Sequence, residues 1–460
     1  MAATNGLSNN CPTVLFPIEI STRELDSKLV MASALAAEGC RAIVGYKEAL
    51  KAIGHSAQRV VWQGKSLFSS KARDHIADRL LENDSAIMFL HDEGGIHQVS
   101  AWSQNVLKKH RVDDLRVRDI TRVCVWGERQ KEVISDFAQE LSNVLTVTGS
   151  PRFDLCHPKY NWLINARDRS EVAAFSPYIL VCTRFVNAAH AEGQEVPFLR
   201  RLYSTGWPDS FDAKAIADVV FTQWQQAVHD FADLVVLVKE TALAYPQYTI
   251  VLRPHPSENL IFYQQAFSRF KNVVVRRDKS VLNWIRSAEL VIHSNCTTGI
   301  EAVLAERPVL NLLPANAART GLDLEVAREA GLIASSIPDA LEKIGEILAG
   351  RAPTHTWSAH AKAILNNLKT DAVPTMVKET LGVLHDKGIS SSKVYLPAKR
   401  PMRSAIRRMA GRTGMNAYVA TKRGLLDAEH VEAVIAGCRA NQVGAGSISY
   451  LTEQLVVVEP

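Results

Sequence analysis

No stretch of this 460-residue chain approaches the ~18 consecutive apolar residues that a membrane-crossing helix needs. The opening residues, MAATNGLSNN, carry no apolar signal-peptide core. The seven cysteines (Cys11, Cys40, Cys124, Cys156, Cys182, Cys296 and Cys438) are scattered, with no C-x-x-C pair and no His/Cys spacing of the kind that ligates zinc. They read as reduced thiols rather than a disulfide or zinc framework, and a cytoplasmic protein is expected. Neither sign of charge dominates: 53 Lys and Arg face 48 Asp and Glu, for a net charge of +5. With no reader motif or aromatic interleaving in its basic segments, the chain is not expected to bind nucleic acid. No Asp-x-Asp stands at an expected strand end, so no divalent metal is expected.

What is present is ordinary for a soluble globular protein, 47% hydrophobic and 22% charged residues, over a length that accommodates two or three domains. Strand-like and helix-like patterns alternate over the first part, which predicts a parallel sheet flanked by helices. Strands are expected at Thr13–Ile20, Arg41–Val44, Arg59–Gln63, Ser85–Leu90, Arg122–Trp126 and Val144–Thr148. A helix is expected between the first two, where Leu25, Leu29, Ala32, Leu35 and Ala36 recur at helical spacing before Gly39. Asn161–Ser176 reads as a connector. A second α/β series follows, with strands at Tyr178–Cys182, Tyr248–Leu252, Val273–Arg276, Leu290–Ile292 and Pro308–Leu313, and helices to about Leu384. The fold class expected is therefore α/β, with one Rossmann-like domain over residues 1–172 and another over 173–387.

The most informative segment is Val291–Arg307, V-I-H-S-N-C-T-T-G-I-E-A-V-L-A-E-R. It reads as a buried strand, a turn of small polar residues and a helix whose free N–H groups and positive dipole end suit an anion. Ser294, Asn295, Thr297, Thr298 and Gly299 stand at that turn, and Glu301, one turn in, suits the hydroxyls of a ribose. Capping alone would normally take one such residue. Upstream, the strand ending Leu252-Arg253-Pro254-His255-Pro256 brings a cation and an imidazole to a strand's C-terminal end, where open α/β sheets bind ligands. His255 could offset charge on a departing phosphate. Arg253 reads equally well as a salt-bridge partner of Glu258.

In the N-terminal half, Asp92 and Glu93 follow the strand Ser85–Leu90 and are the first candidates for catalytic carboxylates, and Glu24, after the first strand, is a further one. Glycosyl transfer needs a carboxylate to deprotonate the acceptor or to attack the anomeric carbon. Glu19 and Arg23 follow the first strand and are candidates for substrate contact, Arg23 for a donor carboxylate. Arg152 and Asp154, after the last strand of this half, read either as a structural ion pair or as substrate contacts.

Several of these phrases together resemble the bacterial surface carbohydrate biosynthesis protein family, a group of GT-B glycosyltransferases. They are Pro17-Ile18-Glu19-Ile20 with Arg23-Glu24-Leu25-Asp26-Ser27-Lys28, Val125-Trp126-Gly127-Glu128, Val147-Thr148-Gly149-Ser150-Pro151-Arg152-Phe153-Asp154, Arg253-Pro254-His255-Pro256-Ser257-Glu258, and His293-Ser294-Asn295-Cys296-Thr297-Thr298-Gly299-Ile300-Glu301-Ala302. The resemblance implies two facing Rossmann-like domains with a cleft between them. Where an N-T-N-F-like strand end is expected, the chain has Cys182-Thr183-Arg184-Phe185-Val186-Asn187, so Arg184 and Asn187 enter only as substrate contacts. The His-Pro dipeptide with a small-hydroxyl turn is also similar to the nucleotide site of sialyltransferases and Kdo transferases. That likeness implies a CMP-activated ulosonic acid such as Kdo, its phosphate held by His255, Ser294, Thr297 and Thr298.

The function expected is thus a metal-independent glycosyltransferase of surface polysaccharide, taking a nucleotide sugar as donor and a lipid-linked glycan as acceptor. The alternatives are a glycerol- or ribitol-phosphate transferase of teichoic-acid type, a UDP- or GDP-sugar glycosyltransferase, and a non-catalytic sugar-nucleotide-binding protein. Residues 388–460 read as a basic helical extension after the linker-like Ser390-Ser391-Ser392. Its stretch 399–423 could lie on an anionic membrane surface, or be a solvated basic tail.

Overall fold

The computed structural model describes residues 7, 10–64, 76–90, 121–137, 139–164, 166–203, 212–278, 280–314, 324–395 and 425–460. Asp92, Glu93 and the basic stretch 399–423 lie outside the described residues. The described residues form two compact units. One is drawn from Met1–Gly94, Val112–Leu155 and Lys369–Pro460, the other chiefly from Cys156–Leu368.

The first unit is built on β1 (Thr13–Ile18), β2 (Arg41–Tyr46), β3 (Val60–Gly64), β4 (Ala86–Leu90), β5 (Arg122–Val125) and β6 (Leu145–Val147). The first four are buried along their whole length, as parallel strands covered on both faces must be. All six are parallel, in the order β2-β1-β3-β4-β5-β6. The helix Ser21–Ala37 follows β1, its end marked by Gly39 at φ +77°. Two further strands, β13 (Ser447–Thr452) and β14 (Leu455–Glu459), extend the sheet, β14 pairing antiparallel with β2.

That last feature differs from the expected helical extension over 388–460. The C-terminal residues complete the first sheet: Leu455, Val456, Val457 and Val458 are buried, Arg41 pairs with Glu459 at 2.8 Å, and His430 Nε2 lies 2.6 Å from Asp26. The serine run is no free linker either. Ser392 is buried, its Oγ accepts from Thr13 N at 2.8 Å and donates to Arg59 O at 2.5 Å, so it clasps the N-terminal ends of β1 and β3. The boundary near residue 172 also moves, since the chain enters the second unit at Cys156 and leaves it at Leu368.

The second unit holds β7 (Tyr178–Cys182), β8 (Thr249–Arg253), β9 (Val273–Val275), β10 (Leu290–His293), β11 (Val309–Leu312) and β12 (Leu332–Ala334). They are all parallel, in the order β12-β11-β10-β7-β8-β9. This is the doubly wound order of dinucleotide-binding sheets, reversing direction between β7 and β10. The 32-residue helix Ala213–Ala244 covers one face, with Leu234, Leu237, Val238 and Ala242 against Ile179, Val181, Ile250 and Leu252. The α/β class and the two Rossmann-like units expected of a GT-B type chain are present.

Candidate functional site

In the second unit, the strands β8, β7 and β10 are consecutive neighbours and parallel, so their C-terminal loops emerge side by side at one edge of the sheet. Ligands of open α/β sheets bind at that edge, at the point where strand order reverses, and here that point lies between β7 and β10. The loop after β7 carries Thr183 and Arg184, the loop after β8 carries His255, and the loop after β10 carries Ser294–Cys296 and the helix Thr297–Leu304.

Two buried polar residues shape the last of these loops. His293, ending β10, is fully buried: its Nδ1 accepts from Cys296 N at 3.0 Å, and its Nε2 lies 3.0 Å from Ala330 O, to which it must donate. Burial holds the ring neutral, its pKa lowered to about 4. Asn311, its register partner on β11, accepts from Asn295 N at 2.9 Å and donates to Ala327 O and Arg328 O. With both bonds in place Asn295 adopts φ +46°, a left-handed conformation that asparagine tolerates better than most residues. Neither role was read from the sequence. The available signal was a single polar residue in each of two apolar strands, at the end of Leu-Val-Ile-His and inside Val-Leu-Asn-Leu.

Gly299 packs against the same imidazole. A Cβ there would stand 2.2 Å from His293 Nε2, so the glycine makes room for the imidazole.

Arg184 reaches across from the β7 loop and donates from Nε to Ser294 O at 2.9 Å, joining the two loops at the switch point. Ser294 and Asn295 are 1% and 0% exposed. Ser294 Oγ and both Asn295 amide atoms have no hydrogen-bond partner. A buried polar group left unpaired costs ~1–3 kcal/mol, so such a group in a folded protein calls for an explanation. Thr298 lies against the Cys182 thiol, whose pKa burial pushes up to about 12. Thr297 is half-buried at the helix start. Glu301 is buried one turn in and attracts Arg253 electrostatically.

His255 is half-buried at the end of β8. Its Nδ1 accepts from Ser257 N at 3.2 Å, so the neutral ring carries its proton on Nε2 and is a donor there. Its backbone N–H donates to Thr183 Oγ1 at 3.2 Å. Arg253 donates to Asp278 O and not to Glu258. Glu258 is instead a buried tie between loops. It accepts from Phe185 N (2.5 Å), Thr183 Oγ1 (2.5 Å) and Tyr263 Oη (2.6 Å), and its pKa is raised to about 7 by burial. Arg277 donates to the carbonyls of Pro256 and Glu258, which pins the same loop. Asn187 lies in the short helix Val186–Ala189, and no described hydrogen bond joins it to the turn.

The remaining candidates belong to the first unit. Glu24 is buried at the start of the helix after β1, accepting from Glu19 N at 2.7 Å and pairing with Arg23 at 3.0 Å. Glu19 pairs with Lys47 at 3.6 Å. Arg152 stacks on Phe153 at 5.2 Å. Asp154, fully buried, accepts from Val373 N at 2.7 Å and thereby caps the helix Ala372–Asp386, a structural duty. Among the described residues no cluster of acidic, His or Cys side chains has metal-site geometry, all seven cysteines are free, and no helix is long and apolar enough to cross a membrane.

No protein-family model and no curated protein matches the chain. Among solved structures, it is similar to UDP-GlcNAc 2-epimerase from Neisseria meningitidis bound to UDP-GlcNAc, at 13% identity and a TM-score of 0.44, covering 80% of this chain and 99% of that one. It is similar also to the UDP-GlcNAc 2-epimerase of Methanocaldococcus jannaschii, at 11% identity and a TM-score of 0.46, covering 81% and 99%.

Proposed function

We propose that the chain is a nucleotide-sugar-dependent glycosyltransferase of surface polysaccharide synthesis, with the donor's phosphate and ribose held at the β7/β10 switch point. The observation that carries this reading is the buried, unpaired polar set of Ser294 and Asn295, tied to Arg184 where a doubly wound sheet binds its ligands. A phosphate presents oxygens on every side, and a modest side-chain rotation would turn Ser294 and Asn295 toward it. The His255 Nε2–H, Arg184 and the first turn of the helix Thr297–Leu304 supply positive potential without a metal. Loops from β8 and β10 stand two strand spacings apart, ~10 Å, enough to hold a nucleoside phosphate between them. Arg253 and Glu301 form the ribose-side pair in this reading.

In the transfer, an acceptor hydroxyl attacks the anomeric carbon and the bond from that carbon to the phosphate oxygen breaks. The electron pair leaves with the nucleotide, whose new charge His255 and Arg184 offset. The hydroxyl proton passes to a carboxylate, assigned to Asp92 or Glu93 with Glu24 as the next candidate. The acceptor is a glycan, lipid-linked in this reading, and the favoured donor is a CMP-activated ulosonic acid such as Kdo.

A thermal-shift panel of CMP, CDP, UDP and GDP tests the donor, because a ligand that binds the native state raises its melting temperature by mass action. A response to CMP supports the ulosonic-acid donor. A response to UDP or GDP alone replaces it with another nucleotide sugar, and one to CDP alone favours an alditol-phosphate donor. No response to any of the four removes the nucleotide site. Asp92→Ala and Glu93→Ala variants that bind nucleotide but lose transfer would support the carboxylate assignment, whereas full transfer by both would end it.

A further inference from the structure

The first unit has a switch point of its own, between β1 and β3, where the order β2-β1-β3-β4 reverses. Two side chains there are buried without the partners their chemistry calls for. Lys28, on the helix after β1, is 4% exposed, and its Nζ stands 5.7 Å from the centre of the Phe16 ring. Among the described residues no carboxylate pairs with it and no acceptor takes its hydrogen bonds. Gln63, next to last in β3, is 1% exposed, and neither its Oε1 nor its Nε2 has a partner.

The two belong to one place. Leu15 is in register with Trp62, so the following residues, Phe16 and Gln63, are neighbours on the opposite face of the sheet, the face to which Lys28 folds down. The groups around them do not answer the lysine's charge. Glu24, one turn earlier on the same helix face, already accepts from Glu19 N and Arg23. Glu379 pairs with Arg122 at 3.3 Å. Cys124 is a neutral thiol, pushed up to about 12 by burial. A buried amide without a partner is costly, and it stands with a largely buried lysine that no described anion pairs at the sheet edge where ligands enter.

We infer that Lys28 and Gln63 form a second binding site, for the oxyanion of a carboxylate or a phosphate, at the β1/β3 switch point of the first unit. The lysine supplies the charge, and the glutamine amide donates to one oxygen while its carbonyl accepts from a neighbouring hydroxyl of the same ligand. This site is separate from the proposed nucleotide site and does not depend on it. It would suit an acidic sugar or a phosphate-bearing acceptor, and the two sources can be told apart by probe.

The test is titration of the full chain with inorganic phosphate and, separately, with glucuronate, followed by melting temperature, for the wild type, Lys28→Met and Gln63→Leu. The expected result is a saturable rise with one probe in the wild type, at least tenfold weaker in Lys28→Met and weakened in Gln63→Leu. Which probe responds names the source. Because methionine keeps the length and apolar packing of a side chain that has no ion pair to lose, the ligand-free Lys28→Met protein is also expected to melt no lower than the wild type. The inference is overturned if neither probe binds, if both variants respond like the wild type, as they would were phosphate binding only in the second unit, or if Lys28→Met melts several degrees lower, which would mark a structural lysine.

Discussion

At the scale of residues, the second unit's site stands on two buried titratable groups of opposite behaviour. Glu258 titrates near 7 in the fold against 4.5 for the ordinary group, so the native state holds its proton more tightly, and stability falls as pH rises across that window. His293 titrates near 4 against 6.5, so the native state binds its proton less tightly, and stability rises as pH rises from about 4 to 6.5. Each contributes on the order of 3 kcal/mol across its window. Where the windows overlap the two slopes oppose each other, and the wild type is expected to show a shallow profile. Glu258→Gln should unmask the rise due to His293, and His293→Asn the fall due to Glu258, in urea titrations across that range. An unchanged profile in both variants would contradict the assignment. Gly299→Ala is a second case. Helix propensity favours alanine by ~1 kcal/mol, but a Cβ 2.2 Å from the His293 ring forces repacking. A net loss of ~1–2 kcal/mol is expected, read as a lower urea midpoint, and a gain would contradict it.

At the scale of elements, the C-terminal strands carry the clearest expectation. Four consecutive side chains of β14, Leu455 to Val458, are buried, and burying each contributes ~1.5–3 kcal/mol. Gly45 of β2 admits the backbone of the turn that leads into β14, since a Cβ there would meet Gln454 O at 2.4 Å. Deleting residues 443–460 should therefore open the edge of β2 and leave the first unit unfolded or aggregating, as limited proteolysis and sedimentation would show. A truncated chain that stays as protease-resistant as the full one would contradict this. The sequence LVVVE has strand character, yet its partner strand lies more than 400 positions away, Val456 opposite Val44 and Val458 opposite Ala42. Local pattern carries no information about such pairing. For the same reason the clasp of Ser392 on β1 and β3 looked like a linker. Parallel strands such as Tyr178–Cys182 were legible to the residue because a run buried on both faces is continuously apolar.

At the scale of the whole molecule, the described residues form two sheets, one wholly parallel and one parallel apart from its C-terminal strands, each with its own reversal of strand order. The residues that face the reversal in the second unit, from His255 and from Ser294 to Glu301, were legible because small polar residues and a His-Pro stood where strands were expected to end. Their supports were not: Thr183, Glu258 and Asn311 act through partners far along the chain, such as Asn295 N on Asn311. Arg184 was visible as a departure from an expected motif, and only the strand order β10-β7-β8 places it beside Ser294. In the proposed function a nucleotide is held where Arg184 meets the Ser294 turn. Calorimetric titration of CMP, CDP, UDP and GDP into the full chain and into Arg184→Ala tests it most directly. Saturable binding of at least one nucleotide by the wild type is expected, weakened at least tenfold in the variant while its melting temperature without ligand changes little. Failure of all four to bind, or equal affinity in the two proteins, would contradict it.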